Sequence, residues 1–175
     1  MLKYDYHSSI RTLSEKSADC VICACRGRPQ AVLSLRDECQ RILCELEGAL
    51  FSEFLPPLDR SGLAAYAHTL CALADSAIIY SKLASTGYAQ LSQRRFESAT
   101  LSLCEILKES AAMLGGIKKS SEIPRLEEFR KLKSSALDGA RERSQAPLLI
   151  SSRENMLFAL SDAFDSLVEL ILKSI

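Results

Sequence analysis

Along most of this chain apolar residues recur at alternating steps of three and four, the spacing that collects them on one face of an α-helix. Between residues 8 and 26 the face is Ile10, Leu13, Ser17, Cys20 and Ala24. Between 29 and 53 it is Val32, Leu35, Cys39, Ile42, Leu46 and Ala49, and from about 60 to 86 it is Leu63, Ala67, Leu70, Ala74, Ala77 and Ala84. The second half repeats the layout. Phe96, Ala99, Leu103, Ile106 and Met113 line a helix over 90–114. Ile123, Leu126, Phe129, Leu132 and Ala136 line one over about 122–144, and Met156, Leu160, Ala163, Leu167 and Leu170 line one from Pro147 to about Lys173. No period-two stretch competes with these six.

The punctuation between the stripes agrees with them. Gly27 and Pro29 separate the first pair, with Pro29 suited to a first helical turn, where its missing N–H costs nothing. Around Phe51-Ser-Glu-Phe-Leu-Pro-Pro-Leu-Asp-Arg60 the break is forced. Pro56 removes a donor and drives Leu55 out of helical geometry, which ends the second helix near Glu53. Asp59 can then cap the third helix, with Arg60 at its first position. Gly87 and Gly115-Gly116 are stops, and Ser121 is a cap for the fifth helix. Each amphipathic helix needs a partner, and short connections make neighbours antiparallel. The expected fold is therefore all-α: one domain over 1–175, an elongated bundle of six long antiparallel helices in two pseudo-repeated three-helix units, about 8–86 and 90–174.

Composition narrows the function. The chain has 175 residues, 47% of them hydrophobic, with 22 basic and 22 acidic side chains and no Trp. Zero net charge gives no global attraction to nucleic acid or to an anionic membrane. No uninterrupted apolar run approaches the roughly 18 residues of a spanning helix, and the first residues lack the apolar core of a secretory signal. Seven cysteines, odd in number and dispersed, suit a reducing compartment. The expectation is a cytoplasmic protein. Enzyme signatures are scarce: there is no Gly-rich phosphate loop, Gly-x-Ser-x-Gly elbow or His-Glu-x-x-His. Neither His7 nor His68 follows a Glu by three residues, as a ferritin-like di-iron site requires.

The phrase Phe54-Leu-Pro-Pro57-Leu-Asp59-Arg60 resembles the helix corner of the PhoU-like phosphate-transport regulators, in which an apolar helix ends Phe-x-x-Pro-x-Asp-Arg and a carboxylate-bearing helix follows. Leu70 to Asp75 and the last helix, with Ala163-Phe-Asp165 and Ile171-Leu-Lys173, extend the similarity. The structural corner is Phe54, Pro57, Asp59 and Arg60. The resemblance implies a non-enzymatic regulator or accessory protein of phosphate uptake. It would dock on the cytoplasmic side of a phosphate transporter or its signalling component, with no nucleic acid bound, membrane association only through that partner, and self-association left open.

Family members typically carry Glu-x-x-x-Asp facing an Asp-rich motif in each three-helix unit and bind iron or zinc clusters. Here the first motif falls on Arg36 and Gln40, and the facing one on Cys71, Ala72 and Asp75. In the second unit Glu127 remains with Lys131 as its partner, facing Ser161, Asp162 and Asp165. Each site has lost carboxylates and gained a cation. Facing carboxylates near a bundle core repel, and a cation in place of one relieves this without metal. This predicts that Arg36 pairs with Asp75, and Lys131 with Glu127 or Asp165. Two other readings stand beside it: unconnected, solvated charges, or a surviving metal site.

The metal alternative, a metal-binding helical bundle with some catalytic capacity, rests on His68, Cys71 and Asp75, which lie along one helical stripe and are acceptable zinc ligands. With Glu127, Asp162 and Asp165 they are the candidate metal residues; on this reading iron or zinc binds at low occupancy, and on the leading one no cofactor is required. Against it, Cys71 lies beside core positions, where a thiol is ordinary packing. Cys20 and Cys23 also share a face, with Cys25 nearly opposite Cys23 and no second Cys pair or His close in sequence, so core and boundary packing is their expected role.

Overall fold

A computed structural model describes residues 4–52, 59–88, 94–114, 116, 123, 125–141 and 146–174. Among these residues it is all-α, with six helices and no strand: α1 (Tyr6–Cys25), α2 (Pro29–Ser52), α3 (Arg60–Leu83), α4 (Arg94–Ala112), α5 (Leu126–Arg141) and α6 (Pro147–Ser174). Phe54, Pro57 and Ser121 lie outside the described residues.

Local chemistry fixes the ends. The Asp5 carboxylate accepts from the Ser8 amide at 3.0 Å and caps α1. The chain leaves α1 through a Schellman turn: the Arg28 amide donates to the Cys23 carbonyl at 2.9 Å and Gly27 to Ala24 at 3.2 Å. Gly27 takes φ +65°, the left-handed conformation in which a side chain would be strained. Pro29 then opens α2, as expected. Asp59 caps α3, accepting from the Gly62 amide at 2.7 Å and the Ser61 hydroxyl at 2.8 Å. These two bonds hold its carboxyl below the usual carboxylate range. Arg60 is exposed at the first position of α3.

Three expectations needed correction. Gly87 does not end the third helix cleanly; α3 runs on into one π-helical turn, Ala84–Tyr88. Met113 lies past the end of α4 and is 45% exposed, while Leu114 is buried instead, because the helix ends two residues early at Ala112. On α2, Leu35, Ile42 and Ala49 are half-buried flanks; the buried row is Val32, Cys39, Leu43, Leu46 and Leu50.

Cross-helix pairs give the directions. Lys16 meets Glu38 between α1 and α2, and Arg36 with Asp75 and Glu47 with His68 join α2 to α3. Both pairings run antiparallel. The same holds for α4 with α5 (Arg95–Asp138, Glu109–Arg125) and α5 with α6 (Lys133–Ser161, Arg141–Glu154). Helices α1, α2 and α3 pack on one another, as do α4, α5 and α6, and the two groups join along α3–α6 and α1–α4.

Helix α3 packs on α1, α2 and α6, and its seam with α6 is the most extensive in the bundle. Leu63, Tyr66, Ala67, Leu70, Leu73, Ala74, Ala77 and Tyr80 are buried along it. The Arg60–Thr86 stretch, with mean hydropathy 1.3, is long and apolar enough by composition to cross a membrane, which the sequence reading did not anticipate. Within this fold its apolar face fills the core. A buried hydrogen bond between Ser14 and the Tyr66 hydroxyl, 2.8 Å, ties α1 to α3, and burial raises the Tyr66 phenol far above its usual range.

Where α4 crosses α5 the backbones touch. A Cβ on Gly139 would lie 2.8 Å from the Phe96 backbone nitrogen, whereas one on Gly48 meets nothing within 4 Å. The two glycines should therefore respond oppositely to alanine. Gly139→Ala should destabilise the protein by about 1–3 kcal/mol, since backbone must move. Gly48→Ala, mid-helix and exposed, should stabilise it by about 0.5–1 kcal/mol. Urea unfolding of the two variants checks both signs.

Candidate functional site

The charged residues singled out in the first half of the sequence sit along the α2–α3 seam. Helix α3 presents His68, Cys71 and Asp75 in one row toward α2, and each meets a different partner there. His68 Nε2 lies 3.0 Å from Glu47 Oε1. The Cys71 thiol points to the Cys39 carbonyl at 3.8 Å, and the Arg36 Nε donates to Asp75 Oδ1 at 2.8 Å. The Arg36–Asp75 pairing is the one the motif positions predicted. Gln40, one turn along α2, is half-buried and its amide reaches the Cys44 sulfur at 3.7 Å.

The three members of the row thus diverge along the seam and share no centre. Among the described residues no three His, Cys, Asp or Glu side chains converge closely enough to hold a metal ion. Burial, reinforced by nearby Cys39 and Asp75, pushes the Cys71 thiol up to about 12.

In the second half the expected pairing is displaced. Lys131 is exposed, and Glu127 accepts from Arg130 at 2.9 Å. The cation that faces α6 is Lys133, whose ammonium donates to the Ser161 hydroxyl at 2.5 Å. Ser161 in turn donates to Asp165 Oδ2 at 3.4 Å. The reason is helical phase. Helix α5 buries Phe129, Ala136 and Ala140, which sets Lys133 at the edge of the packed face and turns Lys131 to solvent. Asp162 is exposed.

Sequence reasoning missed a more unusual residue. Arg153 of α6 is 1% exposed, the only charged side chain fully buried among the described residues. Its guanidinium lies 5.3 Å from the Phe96 ring centroid. It donates from Nη1 to the Ala140 carbonyl at 3.4 Å and lies near the Tyr80 phenol, while Nε has no partner among the described residues. The Phe96 ring also packs on Tyr80 at 5.7 Å. One cation is thereby held by residues of α3, α4 and α5 through a ring face, a carbonyl and a phenol, with no carboxylate salt bridge. Such a charge is stabilised only where dipoles and π density replace its hydration. A signal did exist: Arg153 falls on the core stripe, four residues after Leu149 and three before Met156.

Searched against protein-family models and against curated proteins, the chain matches none.

Two predictions follow from this geometry. Arg36 and Asp75 are 34% and 52% exposed at the side chain, so a double-mutant cycle to alanine should give a coupling of about 0.2–1 kcal/mol that shrinks in high salt. Arg153 should behave differently. Arg153→Met, which keeps volume and removes the charge, should leave stability unchanged or raise it by about 1–4 kcal/mol. Arg153→Ala should cost about 2–5 kcal/mol through the cavity it opens. Equal losses in both variants would mean that the ring and phenol contacts outweigh the desolvation of the cation.

Proposed function

We propose that this protein is a non-enzymatic accessory or regulatory protein of phosphate transport, PhoU-like in kind, that works by contact with a phosphate transporter or its signalling component at the cytoplasmic face of the membrane. The observation that carries the reading is the Arg36–Asp75 bond: a cation and a carboxylate meet where the resemblance places a pair of ligand motifs, on helices joined by the Asp59-capped corner. His68, Cys71 and Asp75 are each engaged with a different partner on α2, which favours the surface as the working part.

One face suits the partner. On α6 the residues Phe158, Asp162, Asp165, Glu169 and Leu172 recur at steps of three and four and all are exposed, the two apolar side chains by 46% and 49%. Three carboxylates between two apolar anchors complement a basic, partly apolar surface. Cytoplasmic loops of membrane transporters carry an excess of Lys and Arg, so charge complementarity favours such a loop as the occupant.

The test is recovery of partners by the tagged protein from its native host, alongside phosphate uptake in a strain lacking it. The expected result is a phosphate permease or its sensor in the wild-type eluate, depleted several-fold by the double change Asp162→Lys and Asp165→Lys, with uptake altered in the deletion strain. Unchanged uptake together with no transport component in the wild-type eluate would sink the reading. Retention of such a partner by the charge-reversed protein would move the contact off α6.

A further inference from the structure

The chain carries 22 basic and 22 acidic side chains, but the fold gathers unpaired cations at one end. Where α1, α3 and α5 finish, α2, α4 and α6 begin. The packing of Phe96 on Tyr80 and of Arg153 over Phe96 brings the starts of α4 and α6 to the end of α3. Arg26 and Arg28 flank Gly27 in the turn from α1 to α2, Lys82 lies in the last turn of α3, and Arg94 is the first residue of α4. All four are exposed, and among the described residues none of them has a carboxylate partner.

Other charges at this end largely cancel. Arg95 lies 3.8 Å from Asp138, and Arg141 lies 2.6 Å from Glu154. Between α5 and α6 the sequence adds one charge of each sign, Glu142 and Arg143, and between α3 and α4 it adds none. Glu97, half-buried in the first turn of α4, is the carboxylate that opposes the four cations. The end is therefore basic although the chain as a whole is neutral.

Apolar groups stand among these cations. Leu148, in the first turn of α6, is 72% exposed, and Leu33 of α2 and Ile79 of α3 are exposed as well. Leu33 and Lys82 line one shallow groove with Pro29 and Ile78. Exposed aliphatic side chains set between Arg and Lys suit the boundary of headgroups and acyl chains, where the alkyl groups enter and the cations meet phosphate. They offer no aromatic platform on which nucleic-acid bases would stack.

We infer that this end of the bundle docks directly on a bilayer surface rich in anionic lipid. Arg26, Arg28, Lys82 and Arg94 lie against headgroup phosphates, and Leu148 enters the interface. The contact is separate from the partner proposed for the acidic face of α6. Asp162 is about 21 Å further along that helix than Leu148, so the two contacts do not compete.

Co-sedimentation of the purified full-length protein with vesicles tests it, using equal parts of phosphatidylglycerol and phosphatidylcholine against phosphatidylcholine alone. The expected result is binding to the mixed vesicles only, weakened about tenfold or more as NaCl rises from about 0.1 M to about 1 M. Arg28→Glu with Arg94→Glu should weaken it about 30-fold or more. Both changes place a carboxylate at a helix start, where the fold tolerates it. Arg11→Glu with Arg130→Glu, the same change of charge away from this end, should leave binding as it is, and Leu148→Ser should reduce it several-fold.

The inference fails if the protein stays in the supernatant with anionic vesicles at low salt, or if it binds both kinds of vesicle alike. Equal losses in the two double variants would also overturn it, since net charge and not this end would then govern binding. Tighter capture by an RNA or DNA oligonucleotide than by the mixed vesicles would assign the end to nucleic acid instead. The wild-type comparison decides even where a variant does not fold. With no protein partner present, its failure leaves the reading of α6 untouched.

Discussion

The seam between α3 and α6 is the contact on which the two halves of this bundle depend. Helix α3 packs on three others, and eight of its apolar side chains, from Leu63 to Tyr80, are closed off from water. Such enclosure is compatible only with small residues wherever a neighbouring backbone comes close. Ala67, Ala74 and Ala77 meet this need on α3, and Ala163 does so on α6. At Gly62 a Cβ would lie 3.1 Å from Leu170 and 2.8 Å from the Asp59 carboxylate. The start of α3 is thus fixed by its cap and by α6 together. The α3–α6 seam joins the first three helices to the last three, so the hydrophobic stripe of one helix determines the assembly of the whole.

Charge is handled in two ways. At the seams between helices the ions sit in partly exposed pairs, Lys16–Glu38, Arg36–Asp75, Arg141–Glu154 and Lys108–Asp19 among them. Each contributes little to stability, because water competes and two long side chains must be ordered. Their effect is on register: the partners of His68, Cys71 and Asp75 follow one another up α2 and fix how far α3 slides along it. In the interior the solution is different. Among the described residues Arg153 has no salt bridge, and it is held by the Phe96 ring and the Ala140 carbonyl beside Tyr80. Helices α3, α4 and α5 must all be in place before that charge is satisfied, so its burial makes their docking interdependent.

Much of the architecture was legible because the code for a buried helical face is local. All six helices follow from spacing, and the caps at Asp59 and Gly27 follow from residue type. Phase was less legible where a helix has two neighbours. Helix α2 lies against both α1 and α3, so its apolar band is wide, and sequence alone put Leu35, Ile42 and Ala49 at its centre when Leu43 and Leu50 are more deeply buried. A similar error of phase sent the second cation to Lys131 when Lys133 reaches α6. The Arg36–Asp75 bond was legible because its two positions were counted from the same corner. Arg153 was not, because it violates the rule that core stripes are apolar.

Helix α2 is where these threads meet. It packs on α1 and α3 and forms the outer edge of its half of the molecule, as α5 does of the other. Its buried row is narrow, Val32, Cys39, Leu43, Leu46 and Leu50, and its opposite side is solvated. The half-buried Leu35, Ile42 and Ala49 widen the packing on either side of that row, and the exposed ion pairs add under about 1 kcal/mol each. Cys39 lies within that row, and its carbonyl accepts from the Cys71 thiol of α3 at 3.8 Å. The same row meets α1, whose Cys20 thiol donates to the Val32 carbonyl at 3.8 Å, so a single line of residues on α2 touches both neighbours.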